Sequence, residues 1–78
     1  MDRQYGEARY TSSMVRDRVD GYVGYDLVRI QDGNSNRIAR VLFWDACGQF
    51  FAETLGSDVP LEIFEELIAE AKASIKTD

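Results

Sequence analysis

Three groups of residues in this 78-residue chain have types that bind metals or perform catalysis. Asp32, Asn34 and Asn36 stand at alternate positions, as do the first ligands of a calcium-binding loop. The pattern then fails, because Arg37 stands where that loop requires glycine and Phe43 where it requires a closing glutamate. This spacing predicts a polar turn and no metal site.

Cys47 is the one cysteine, and the chain contains no histidine. A catalytic thiol needs a neighbouring base or a second thiol to activate it, and an internal disulfide needs a partner. The usual zinc ligand sets are also missing without histidine. We therefore expect Cys47 to be an exposed turn residue, no cofactor, and a reducing, cytoplasmic location for the protein.

Four glutamates, Glu62, Glu65, Glu66 and Glu70, lie close together near the end of the chain. Paired carboxylates perform acid–base catalysis when a cleft raises the pKa of one of them. On a surface helix they form a solvated face, and the helix dipole favours their ionised form near its start. With no activated group elsewhere, the sequence predicts a protein that is not an enzyme and has no evident small-molecule substrate.

The composition is that of an ordinary globular domain, with 45% hydrophobic and 29% charged residues. The first residues are charged, unlike a signal peptide, and no apolar run approaches the roughly 20 residues of a membrane span. Residues 1–11 lack periodicity, so we predict a flexible N-terminal tail over 1–11 and a single small domain over 12–78.

Alternating and β-branched residues predict strands within residues 12–55. Residues 12–31 divide at Asp20-Gly21, a two-residue hairpin signal, although a short helix over 12–19 capped by Ser12 is an alternative. Residues 32–36 predict a loop, and Asp45–Gly48 a tight turn between the last two strands. The fold class is α+β: an antiparallel β-meander of three to four strands with one C-terminal helix packed on one face (ββββα or βββα).

The C-terminal helix has the clearest pattern. Pro60 suits a helix start, and Lys72 and Lys76 suit the negative helix end. Apolar residues recur at three- and four-residue spacing at Leu61, Phe64, Ile68, Ala71 and Ile75, widened by Ile63 and Leu67.

The segment "RVLFWDACGQFFAE", residues 40–53, is apolar on both faces of its predicted hairpin. The turn pairs Phe43 with Phe50 and Val41 with Ala52, and we assign this uncharged face to the helix. If Asp32 lies opposite Arg37, Val28 and Ile30 of the preceding strand join the helix face, and the residues that alternate with them join the second face. The predicted second face then contains Tyr25, Leu27, Arg29, Ile38, Arg40, Leu42, Trp44, Phe51 and Glu53.

One helix covers one side of a sheet, so the second face is predicted to be an interaction site. Exposed apolar patches mark such sites, and Trp, Tyr, Phe and Arg are enriched in protein interfaces while lysine is depleted. We predict a non-enzymatic module that binds a second copy of itself or another protein there. The alternative is that the N-terminal tail, residues 1–11, folds across this face and covers it, so that no interaction site remains there.

Two other functions remain open. The same arginines and aromatic rings suit single-stranded nucleic acid, although the net charge of −5 argues against it. The acidic second half of the chain suits a decoy that occupies a basic groove on another protein. No membrane partner is expected.

Overall fold

A computed structural model describes residues 1–75, so Lys76 lies outside the described residues. Its five strands form one antiparallel sheet in the order β1-β2-β3-β4-β5, a meander in which each strand pairs with its neighbours along the chain. The elements are β1 (Asp2–Tyr5), β2 (Ala8–Asp17), β3 (Tyr22–Gln31), β4 (Asn34–Trp44), β5 (Gln49–Thr54) and α1 (Leu61–Ser74). The predicted α+β meander with a C-terminal helix is confirmed, with one more strand than expected.

The extra strand comes from the segment predicted to be a flexible tail. Residues 2–5 form β1, which pairs with β2 from Tyr5 opposite Ala8 to Asp2 opposite Thr11. Ala8 and Tyr10 are buried in the core. The segment therefore extends the sheet sideways, and it does not fold across the second face. The alternative of a helix over 12–19 is also wrong, because these residues belong to β2 and the turn after it.

The β2–β3 turn is two residues longer than Asp20-Gly21 alone predicts, because Asp17 pairs with Tyr22. The Asp17 carboxylate accepts hydrogen bonds from the amides of Val19 and Asp20, and its carbonyl accepts one from Gly21. This side-chain cap stabilises a four-residue turn. A register shift of two residues leaves every β2 side chain on its predicted side of β3.

The β3–β4 connection is also different from the prediction. Asp32 and Gly33 both have positive φ, 52° and 78°, which is the geometry of a two-residue hairpin turn. Gln31 consequently pairs with Asn34, so Asn34 and Asn36 belong to β4, not to a loop. The Asp45–Gly48 turn and the whole β4–β5 register are as predicted.

A β-bulge in β4 decides which side chains of β3 lie under the helix. Val28 pairs with Arg37 but Leu27 pairs with Ala39, which leaves Ile38 as the extra residue. One extra residue in β4 moves each β3 side chain beyond the bulge to the opposite side of the sheet from the side that an unbroken register would give it. Tyr25 therefore lies opposite Val41, on the helix side of the sheet.

The core lies between α1 and this side of the sheet. Ile63, Leu67 and Ala71 of α1 are fully buried, so the buried row is centred on the two residues that were predicted only to widen the stripe. Leu61, predicted in the stripe, is 73% exposed, because it lies at the first position of the helix. Pro60 occupies the N-cap position without a side-chain capping hydrogen bond, and the helix begins one residue later at Leu61. The sheet contributes a second set of buried side chains, which comprises Ala8, Tyr10, Tyr25, Leu27, Ile38, Ala39 and Val41.

Candidate protein-interaction face

The side of the sheet away from α1, here called the open face, holds five of the nine predicted site residues. They are Arg40, Leu42, Trp44, Phe51 and Glu53, which alternate along β4 and β5. Three residues that sequence reasoning did not place there, Tyr22, Gly24 and Asp26, lie opposite Trp44, Leu42 and Arg40.

Four predicted site residues do not belong to this face, and the bulge at Ile38 is the reason. Tyr25, Leu27 and Ile38 are in the core, with 9%, 0% and 0% of their surface exposed. Arg29 lies on the helix side and donates a hydrogen bond to the carbonyl of Asp58, before α1. Val28 and Ile30, which the sequence predicted under the helix, alternate instead with these core residues and are half-buried.

Aromatic residues concentrate at the β4–β5 end of the open face. The Tyr22 and Trp44 rings pack with centroids 5.0 Å apart and planes tilted by 58°. The Arg40 guanidinium lies over the Tyr22 ring, 5.8 Å from its centroid. Phe51 in β5 is 50% exposed, so it is a large apolar side chain left in water. The aromatic end of the open face is therefore a patch of Tyr22, Trp44 and Phe51.

Leu42 is on the open face but is not available to a partner, since only 6% of its surface is exposed. It lies opposite Gly24, whose missing side chain leaves space for it. A Cβ at position 24 would stand 2.9 Å from Leu42 Cδ2 and 2.0 Å from the Val41 carbonyl oxygen. The glycine thus allows Leu42 to pack flat against the sheet.

An ion cluster occupies the middle of the open face. Asp26 is 8% exposed and accepts hydrogen bonds from Arg40 Nε at 3.0 Å and from Arg37 Nη1 at 3.3 Å. Partial burial alone would lower the pKa of Arg40, but the hydrogen bond and charge of Asp26, together with the nearby Tyr22 and Glu53, outweigh it and hold that pKa above its ordinary value. Sequence reasoning missed this cluster. The signal that could have indicated it is the single carboxylate, Asp26, within the largely apolar strand sequence "YVGYDLVRI".

A second ion pair lies at the β1 side of the open face. Arg9 donates two hydrogen bonds to the Asp2 carboxylate, and both side chains are more than half exposed. The hydrogen bond from Arg9 lowers the pKa of Asp2, and the same bond raises that of Arg9. Within residues 1–75, each arginine of the open face, Arg9, Arg37 and Arg40, is thus paired with a carboxylate.

Three of the four helix glutamates have partners on the helix side of the sheet instead of forming a purely solvated face. Arg3 of β1 pairs with Glu66 and, at 3.5 Å, with Glu62. Glu70 accepts hydrogen bonds from the Met1 amine at 2.8 Å and from the Ser12 hydroxyl at 2.6 Å. Burial raises the pKa of the Glu70 carboxyl, but these two donors outweigh it and hold the pKa below its ordinary value. Glu62 and Glu65 remain exposed.

The other candidate chemical groups are not brought together. Asn34 and Asn36 extend along β4, and no group of three potential metal-ligating side chains occurs in residues 1–75. Cys47 is exposed in the β4–β5 turn, with its thiol 3.9 Å from the Trp44 carbonyl oxygen. In the same range, every buried side-chain nitrogen or oxygen has a hydrogen-bond partner.

A cleft of about 300 Å³ lies at the end of the sheet beside the β2–β3 turn. Its lining includes Arg16 and Arg18, which make no ion pair within the described residues, but also the carboxylates Asp17 and Asp45. Opposite charges at one cleft give it no clear preference for an anion or a cation.

The chain matches no protein-family model, no curated protein and no solved structure at a significant level. In the part of the chain that the structure describes, no helix is long and apolar enough to cross a membrane.

Proposed function

We propose that this chain is a non-enzymatic interaction module that binds a second copy of itself through the aromatic end of the open face. The observation that carries the proposal is the half-exposed Phe51 beside the Tyr22–Trp44 pair, on the side of the sheet that α1 leaves uncovered. Aromatic side chains with a nearby arginine are the typical anchors of protein interfaces. The unpaired Cys47 suits a reducing compartment such as the cytoplasm.

Charge supports a second copy as the partner. The open face holds three arginines, Arg9, Arg37 and Arg40, beside four carboxylates, Asp2, Asp17, Asp26 and Glu53. A surface with both signs in near balance can approach its own copy across a two-fold axis without net repulsion. A small domain with a single cysteine and no histidine also gains stability from association.

The same charges make nucleic acid a weaker candidate. Binding to phosphates requires cationic side chains that are free to replace counterions. Carboxylates already pair with Arg9, Arg37 and Arg40. The acidic-decoy hypothesis also loses support, because Glu66 and Glu70 are engaged within the fold.

Light scattering on the purified chain tests the proposal. We expect twice the chain mass of 8.9 kDa at tens of micromolar protein and a single-chain mass for Trp44→Asp. The matched control is Asp45→Asn, an exposed change next to Trp44 that keeps the aromatic patch. Circular dichroism checks that each variant is folded.

A monomeric wild-type chain at this concentration contradicts self-association. A Trp44→Asp variant that dimerises like the wild type contradicts the role of the aromatic patch. Titration of a labelled single-stranded oligonucleotide at low salt tests the alternative, and we expect no binding there.

A further inference from the structure

The outer edge of β5 has unpaired main-chain groups. The amide of Leu55 donates to the carbonyl of Ile38, which shows that position 55 directs its N–H toward β4. Hydrogen bonding alternates along an antiparallel strand, so Phe51 and Glu53 also bond to β4, and Phe50 and Ala52 direct their N–H and C=O groups outward. Within residues 1–75 no strand pairs with this edge.

The β5 edge also lacks the features by which proteins prevent edge pairing. Exposed edge strands are commonly protected by lysine, proline, bulges or short length. β5 is six residues long, has neither lysine nor proline, and carries one charge, at Glu53. The opposite edge, β1, is four residues long and carries the charged pairs Asp2–Arg9 and Arg3–Glu66. The β5 edge is therefore less protected than the β1 edge against pairing with a strand of another chain.

We infer that β5 of a second copy pairs antiparallel with β5 along this edge, with the two-fold axis at Phe51. The inference rests on the proposed self-association and specifies its geometry. The outward amide and carbonyl groups of Phe50 and Ala52 then bond those of Ala52 and Phe50 in the second copy. Strand addition of this kind is a common way for a sheet edge to bind an extended segment.

Side-chain complementarity selects this register. With the axis at Phe51, the two Phe51 rings face each other, Gln49 faces Glu53 of the second copy, and the large Phe50 faces the small Ala52. An axis at Ala52 places the Glu53 carboxylate opposite Phe51. An axis at Glu53 opposes two carboxylates, and an axis at Phe50 leaves Glu53 opposite the turn.

Pairing in this register makes one ten-stranded sheet from two five-stranded sheets. Residues directly opposite each other project from the same side of a sheet, so the two open faces form one continuous surface. Phe51, which is 50% exposed in the single chain, is covered at the axis by its equivalent. This surface places the two aromatic patches side by side.

Disulfide trapping tests the register. In a Cys47→Ser background, Phe51→Cys places two thiols opposite each other at the axis, and Gln49→Cys is the matched control on the same face and strand. We expect mild oxidation with oxidised glutathione to produce a covalent dimer of the Phe51→Cys chain at least about tenfold faster than of the Gln49→Cys chain, because only paired positions bring Cβ atoms within disulfide distance. Equal rates overturn the register.

A second pair of variants tests the edge without changing Phe51. Ala52→Pro removes an outward N–H, which costs no bond within the single chain, whereas Ala52→Val keeps it and serves as the control. We expect Ala52→Pro to raise the dissociation constant of the dimer about tenfold or more, and Ala52→Val to leave it within about threefold. Sedimentation equilibrium measures both constants.

The outcomes separate the edge from self-association itself. A wild-type dimer that Ala52→Pro leaves intact, with protein folded by circular dichroism, overturns edge pairing but not self-association. If Ala52→Pro unfolds, hydrogen exchange on the wild type decides: dimer formation protects the amides of Phe50 and Ala52 if the inference holds and leaves them unprotected if it is wrong. A monomeric wild type removes self-association and the edge together.

Discussion

Arg40 and Asp26 lie opposite each other on β4 and β3, and Arg40 Nε donates to the Asp26 carboxylate at 3.0 Å. The side chain of Arg40 is 18% exposed and that of Asp26 11%, so this pair is largely shielded from water. Arg37 donates to the other carboxylate oxygen. Among the ion pairs of the open face in residues 1–75, this pair is the most buried. It lies in the middle of that face.

Removal of Asp26 is expected to destabilise the fold. Asp26→Ala leaves the shielded guanidinium of Arg40 without its acceptor, which costs about 2–3 kcal/mol. Asp2→Ala, which breaks the exposed pair with Arg9, is the matched control and should leave stability unchanged within error. Urea unfolding at neutral pH measures both, and equal midpoints for the two variants would show that the Asp26 cluster adds nothing.

Acid should remove the contribution of Glu70. Its pKa is lower in the folded chain than in the unfolded chain, so the stabilisation is fully present above the unfolded value and is lost as the pH falls through the folded value. Glu70→Gln should therefore be less stable than the wild type by about 1 kcal/mol at pH 7, and the difference should shrink as the pH falls through the folded pKa of Glu70. Thermal unfolding across this range measures it. A difference that is constant with pH would contradict an ionic role.

Gly24→Ala should be among the most destabilising single changes in the sheet. The added Cβ would stand 2.0 Å from the Val41 carbonyl oxygen and 2.8 Å from Leu42 Cα, both backbone atoms that cannot rotate away. We expect a loss of about 3 kcal/mol. Gly21→Ala is the control: its Cβ meets nothing within 4 Å, so only the positive φ of 78° costs energy, about 1 kcal/mol. Comparable denaturation midpoints would refute the close packing at Gly24.

Two leucines of α1 test which side of the helix stabilises the protein. Leu67 is fully buried and Leu61 is 73% exposed. Leu67→Ala should cost about 3 kcal/mol through lost burial and the cavity that it leaves, whereas Leu61→Ala should change stability by less than about 0.5 kcal/mol. Chemical denaturation followed by circular dichroism compares them, and similar costs would mean that α1 packs in another orientation.

Local patterns predicted much of this structure. The three- and four-residue apolar spacing located α1, and the Asp45–Gly48 turn predicted every pair of the β4–β5 hairpin. These features depend on neighbours within a few residues, so the sequence contains their full cause. For the same reason Arg40, Trp44, Phe51 and Glu53 were correctly predicted on the side away from the helix.

Tertiary structure decided the facing of β3 and the position of residues 1–11. The hairpin at Asp32-Gly33 alone would have left Tyr25 and Leu27 on the open face, and the single extra residue Ile38 inverted them. Apolar residues occupy adjacent positions in β3, so no alternation of apolar and polar residues specifies its register. Which of its side chains point toward α1 is decided by which of them fill the space beneath the helix. Residues 2–5 likewise form a strand because β2 offers them a partner, and pairing energy of this kind comes from contacts distant along the chain.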